Sequence, residues 1–146
     1  MKLFLDTNIV LDVTAERQPF QADAERVVAL VENRDAAAAV SAISYTTVHY
    51  VMSKGMGQEE AFEALRIMRR LFETVPCDAD IIGTAMDSGL PDFEDAVQYF
   101  SALAAGAERI ITRNVGHFPT DSVVVQTPAE FLAWWLTRKE RKSPKR

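Results

Sequence analysis

The sequence predicts an α/β fold, a parallel sheet covered by helices on both faces, on three observations. Short apolar or β-branched runs at residues 3–5, 36–40, 109–112 and 122–125 alternate with amphipathic stretches of helical spacing. The first run, Leu3, Phe4 and Leu5, stops abruptly at Asp6-Thr7-Asn8 before apolar residues resume at Ile9, Val10 and Leu11. No internal repeat and no long linker divides the 146 residues, a length that suits one domain.

A continuous apolar run ending at an acid reads as a buried parallel strand. Ligands of open α/β sheets sit outside the carboxyl ends of the strands, so Asp6 projects toward the natural site. Asp6, Thr7 or Asn8 also suits the cap of the next helix, since such side chains satisfy free backbone N–H groups.

A break at Arg17-Gln18-Pro19 precedes a helix over residues 20–32, whose apolar positions Phe20, Ala24, Val27, Val28, Leu30 and Val31 recur at helical spacing. The alanine-rich residues 36–40 read as a short buried strand, with Ser41 or Ser44 available to cap the next helix. That helix, over 45–54, is predicted to stop at Gly55, and a second amphipathic helix to cover 59–72, with Arg66, Arg69 and Arg70 as a solvated basic edge.

Glu73-Thr74-Val75 is too short to assign. Pro76-Cys77-Asp78 followed by Ile81, Ile82, Ala85 and Met86 nevertheless predicts a strand, a turn and a helix ending at Gly89. A helix opening at Asp92 runs to Ala105 and closes at Gly106. Strands over 109–112 and 122–125 follow. Thr127-Pro128-Ala129-Glu130 combines a cap, a first-position proline and a capping-box glutamate before Phe131, Trp134 and Trp135, which read as core or interface anchors. The domain is expected over residues 1–137, with 138–146 a basic, disordered tail.

Sixteen basic against twenty-one acidic residues leave a net charge of −5, which argues against a general electrostatic grip on nucleic acid. Any such contact must be local. A single cysteine, Cys77, excludes an internal disulfide framework. Without a long apolar run or signal-peptide pattern, a cytoplasmic protein with no membrane association is expected.

Three separated segments offer polar groups where strands end or helices begin: Asp6, Asp92 with Asp95, and Asn114. Asp92 and Asp95 share one helical face, and acids in a first turn also cap and favour the helix dipole. Carboxylates converging without a lysine or arginine call for a cation, and oxygen donors suit Mg²⁺ or Mn²⁺. Zinc is disfavoured, because His49, His117 and Cys77 show no ligand spacing.

Leu5-Asp6-Thr7-Asn8-Ile9-Val10-Leu11-Asp12, Asp92-Phe93-Glu94-Asp95-Ala96-Val97-Gln98, Ile111-Thr112-Arg113-Asn114-Val115-Gly116-His117-Phe118 and Thr127-Pro128-Ala129-Glu130-Phe131-Leu132 resemble, in family order, the successive signatures of the PIN domain. The resemblance is to the bacterial single-domain, VapC-like type. It implies a three-layer α/β/α sandwich with a Rossmann-like central parallel sheet. It also implies a Mg²⁺- or Mn²⁺-dependent ribonuclease, the toxin of a toxin–antitoxin pair, with RNA as substrate, an antitoxin partner and a homodimer.

Carried over residue by residue, the family's acids fall on Asp6 and Asp95, with Asp92 beside them. Thr47 occupies the place of the usual helix glutamate, and Asn114 that of a later aspartate. Asn8 and Thr112 are expected to support the site. Two neutral groups in place of carboxylates weaken the hold on a cation, so one metal is expected rather than two unless Glu94 or Asp12 compensates. The same departures keep a second reading open, a weak or inactive PIN-like module that binds RNA or a protein. A haloacid-dehalogenase-like use of Asp6 as nucleophile wants a second acid where Asn8 stands.

Overall fold

A computed structural model describes residues 1–142 of the chain. Five strands, β1 (Lys2–Leu5), β2 (Ala37–Ser41), β3 (Glu73–Val75), β4 (Arg109–Ile111) and β5 (Val124–Gln126), pair in the order β3-β2-β1-β4-β5, every neighbouring pair parallel. The helices are α1 (Thr7–Thr14), α2 (Gln21–Glu32), α3 (Ala42–Met56), α4 (Gln58–Leu71), α5 (Ala79–Asp87), α6 (Phe93–Ala104) and α7 (Pro128–Lys142).

The pleat of the central strand sorts the core into two faces, because successive side chains point opposite ways. Leu3 and Leu5 enter a cluster with Ile9 of α1, Val27 of α2, Met52 of α3, Met68 of α4 and Phe131 of α7. Phe4 enters another, with Ile81 of α5, Val97 of α6 and Ile110 of β4. Helices therefore cover both faces of an all-parallel sheet, the three-layer α/β/α sandwich expected from the residue pattern.

Local signals explain most element ends. Ser41 accepts from Ile43 N–H at 3.3 Å and caps α3. Asp78 accepts from Ile81 N–H at 3.0 Å and caps α5. The Thr127/Glu130 capping box closes in both directions, at 2.9 and 3.2 Å. Glu73–Val75, unassigned from sequence, is the edge strand β3 beside β2.

Three boundaries differ from expectation. Helix α3 passes through Gly55 and stops at Gly57, whose φ of 92° is the left-handed turn that glycine tolerates best. Strand β5 begins at Val124 rather than Ser122, because its ladder partner β4 offers only three residues. Helix α7 continues to Lys142, so residues 138–142 extend a helix instead of starting a tail; Arg138 stacks near Trp134 and Trp135, 5.5 and 5.3 Å from their ring centres. The rest of the expected tail, residues 143–146, lies outside the described residues.

The strand order fixes where a site can form. From β1 the chain crosses to β2 on one side, and from β4 it crosses to β5 on the other, so the carboxyl ends of β1 and β4 flank the point where the winding reverses. Asp6 N–H donates to Ile111 C=O at 3.0 Å and binds the two ends together.

Candidate metal site at the carboxyl ends of the strands

Asp6 occupies the first position beyond β1, 3% exposed. Its backbone serves as the N-cap of α1, but its side chain makes no capping bond. Instead Oδ2 accepts from Thr112 Oγ1 at 2.8 Å, across the junction of β1 and β4. Thr112 in turn accepts from Asn114 N–H at 3.1 Å, which sets the course of the loop after β4. The Asp6 side chain is thus not used to cap α1.

Burial pushes the Asp6 carboxyl from 3.8 to about 6; the Thr112 hydrogen bond opposes this, the charge of Asp95 adds to it, the nearby Thr7 amide opposes it and the charge of Glu94 adds again. Two of the three raising influences are other carboxylates. None of the ion pairs among the described residues joins Asp6 to a lysine or arginine.

Asp92 caps α6 by accepting from Asp95 N–H at 2.9 Å, and it stands exposed at the rim. Asp95, one turn on, has 16% of its side chain exposed, and its Oδ2 meets His117 Nδ1 at 3.0 Å. Its carboxyl is raised by burial first; the His117 hydrogen bond opposes, the Asp92 charge adds and the His117 charge opposes. Asp92, Asp95, His117 and Phe118 line one open groove with Leu90 and Pro119.

The other expected residues take separate places. Asn114 is exposed, three residues past the end of β4. Asn8 accepts from Arg17 Nη1 at 3.5 Å. Thr47 donates back to Ile43 C=O of its own helix at 3.4 Å, so it supplies no counterpart of an inward-facing acid. The α3 residue that does reach the β1 end is Ser44, whose Oγ lies 2.7 Å from Thr7 Oγ1, with Gln98 Nε2 donating to Thr7 at 2.9 Å. All three are buried, and they tie α1, α3 and α6 together beneath the acidic crevice. Asp12 does not reinforce the charge of the crevice. It is fully buried, with Arg113 Nε 3.2 Å from its Oδ2. Glu94 faces solvent, although its charge is felt at Asp6.

Sequence reasoning passed over Ser44, Gln98 and His117 as site residues. Each lies far along the chain from the group it meets, and Gln98 sits among apolar helix positions that read as core.

The donor set suits a single hard cation. Two mutually repelling carboxylates, Asp6 and Asp95, supply oxygen donors, and Mg²⁺-type ions are commonly held by one or two carboxylates with water and phosphate completing the shell. No group of three His, Cys, Asp or Glu side chains is gathered for a metal among the described residues. An all-protein cage of the zinc type is therefore not offered.

The profile of the PIN domain family matches residues 2–116, well over half the chain. The chain belongs to the PIN domain family. This PIN domain is 25% identical over 141 residues to Ribonuclease VapC1 of Aquifex aeolicus, with 93% of this chain and 96% of that protein covered. Its fold resembles the toxin-antitoxin complex from Klebsiella pneumoniae (TM-score 0.64, 22% identity, 86% of this chain and 97% of that one). It also resembles VapC20 of Mycobacterium tuberculosis, described as a sarcin-ricin loop cleaving toxin (TM-score 0.59, 16% identity, 74% and 86%). No helix of the described PIN domain is long and apolar enough to cross a membrane.

Proposed function

We propose that this PIN domain is a divalent-metal-dependent endoribonuclease and the toxin of a toxin–antitoxin pair. The observation that carries the reading is the buried Asp6 carboxylate at the switch point, held by Thr112 and feeling the charge of Asp95, with no lysine or arginine paired to it among the described residues. Membership of the family and the likeness over nearly full length to a ribonuclease support it.

Asp6 and Asp95 would hold the ion, with Asp92 and Asn114 at the rim. A bound Mg²⁺ or Mn²⁺ supplies an acidified water and neutralises charge on a phosphodiester oxygen. Thr112 keeps Asp6 Oδ2 in place. The Thr7, Ser44 and Gln98 network fixes the first turn of α1, on which the position of Asp6 depends. His117 bears on Asp95 from the groove side and restrains its carboxylate.

The test is cleavage of RNA by purified protein with Mn²⁺ or Mg²⁺, beside Asp6→Asn and Asp95→Asn. Metal-dependent cleavage lost in both variants is expected. Cleavage that survives both changes removes these residues from the mechanism. A second reading, a PIN module that binds without cutting, is favoured by Thr47 and Asn114 standing in neutral side chains where carboxylates would strengthen the site. Carboxylate-dependent heat on titration with Mn²⁺ separates the readings in favour of the enzyme.

The antitoxin is proposed to lie in the groove between α1, α2, α3 and α4, about 400 Å³ in volume. Its apolar floor includes Val10, Met52 and Met68, and its rim carries Glu16, Glu60 and Glu63. Such a surface suits an amphipathic helix with basic flanks. Ile67 lines the same groove from α4 and is exposed, so Ile67→Glu is expected to abolish co-purification with a co-expressed antitoxin while the fold persists.

A further inference from the structure

The acidic crevice must receive a polyanion although the chain carries a net charge of −5. The segments that carry Asp6 and Asn114 also carry two guanidinium groups, Arg17 and Arg113. Arg113 directly follows Thr112, the residue that holds Asp6, and directly precedes Asn114. Arg17 reaches back along α1 to Asn8, two residues from Asp6. Both charges act on Asp12, where they oppose the effect of burial.

Arg113 is held on two sides. Its Nε lies 3.2 Å from Asp12 Oδ2, and its guanidinium carbon stands 4.0 Å from the centre of the Phe20 ring. The Asp12 approach meets ion-pair distance without hydrogen-bond geometry, and neither Asp12 oxygen has a hydrogen-bond partner among the described residues. A buried ion pair with so few bonds is a poor source of stability. What the pair does deliver is orientation. The Nε edge and one face are occupied, 25% of the side chain stays exposed, and the terminal amino groups meet no acceptor among the described residues.

A planar guanidinium fixed in this way presents a two-pronged edge matched to phosphate oxygens. Asp23, the other acid on the adjoining hollow, is engaged with Arg26 at 3.4 Å, so it does not neutralise Arg113.

We propose that Arg113 and Arg17 form a phosphate clamp on the shoulder of the acidic site, with Arg113 held in position by Asp12 and Phe20. The clamp grips a backbone phosphate of single-stranded RNA next to the one at the crevice. This inference rests on the ribonuclease reading. The clamp touches substrate but takes no part in bond cleavage, and Asp12 acts through Arg113 as a positioning residue.

The experiment measures binding of a fluorescently labelled short single-stranded RNA to the Asp6→Asn chain by anisotropy across a salt series. Into that background go Arg17→Gln, Arg113→Lys and the double change Asp12→Asn with Arg113→Gln, which leaves no buried carboxylate without its partner. Thermal melts establish that each variant is folded. Arg17→Gln and the double variant are expected to weaken binding about tenfold and to lower the slope of log affinity against log salt by about 0.7 for each lost phosphate contact. Arg113→Lys is expected to retain the slope, because the charge persists, yet to lose affinity, because the fork is gone.

Unchanged affinity and slope in folded variants, with the parent still binding, overturns the clamp and leaves the ribonuclease reading standing. Variants that keep RNA affinity but lose a co-expressed protein partner assign the arginines to that partner and also overturn the clamp. A parent that binds no RNA at all overturns both readings.

Discussion

Thr112 Oγ1 donates to Asp6 Oδ2 across 2.8 Å, and this one bond joins side chains 106 residues apart at the carboxyl ends of two adjacent strands. It fixes a buried carboxylate where the winding of the sheet reverses, and it favours the charged form that a cation requires.

Replacing Thr112 by valine keeps the shape and removes the donor. Hydrogen bonds to charged groups contribute about 1.5–3 kcal/mol, so the Asp6 carboxyl is expected to titrate at still higher pH and RNA cleavage to fall by at least tenfold. Carboxyl NMR of the metal-free variant follows the titration. An unmoved Asp6 resonance would show that the bond does not govern its charge.

In the metal-free protein the Asp6 carboxyl titrates near 6 instead of 3.8, so the native state keeps a proton that the unfolded chain has already released. Its contribution to stability therefore falls as pH rises through that window, by about 3 kcal/mol at most. Asp6→Asn removes the penalty. The variant is expected to melt higher than the parent at pH 7.5 without metal, and the two melting temperatures to converge near pH 4. A variant that melts lower at pH 7.5 with an unchanged pH slope contradicts the expectation.

Gln98 donates to Thr7 at 2.9 Å within the fully buried network that includes Ser44. Gln98→Ala removes the donor and leaves a cavity, at a cost of about 2–4 kcal/mol in urea unfolding. Gln98→Met fills the space and leaves the Thr7 to Ser44 bond intact, so it is expected to recover about half of that loss. Equal losses in both variants would mean that the polar contact, and not the volume, carries the effect.

Sequence reasoning reached the sandwich because its signals are local. The run at residues 3–5 stops at an acid, Asp78 and Asp92 cap their helices as their types suggest, and the Thr127/Glu130 pair marks its helix unaided. Asp6, Asp95 and Asn114 could be singled out as candidates because each lies near the end of a patterned element. Features that depend on distant partners were not. Gly55 and Gly57 look alike as helix stops, and only the left-handed φ at Gly57 distinguishes them. The first turns of α3 present Ser44 to Thr7 rather than Thr47, a matter of helix phase that tertiary packing decides. His117 and Asp95 meet across 22 residues with no periodic pattern to announce it. Asp12, an acid beside the first motif, belongs electrically to Arg113.

The proposed function requires that Asp6 and Asp95 hold one divalent ion between them. Crystals soaked in Mn²⁺, with anomalous data collected, test it most directly. A single anomalous peak is expected about 2.0–2.3 Å from a carboxylate oxygen of each residue, absent from Asp6→Asn crystals soaked alike. A saturating soak with no peak there, or with a peak held by other side chains, would contradict it.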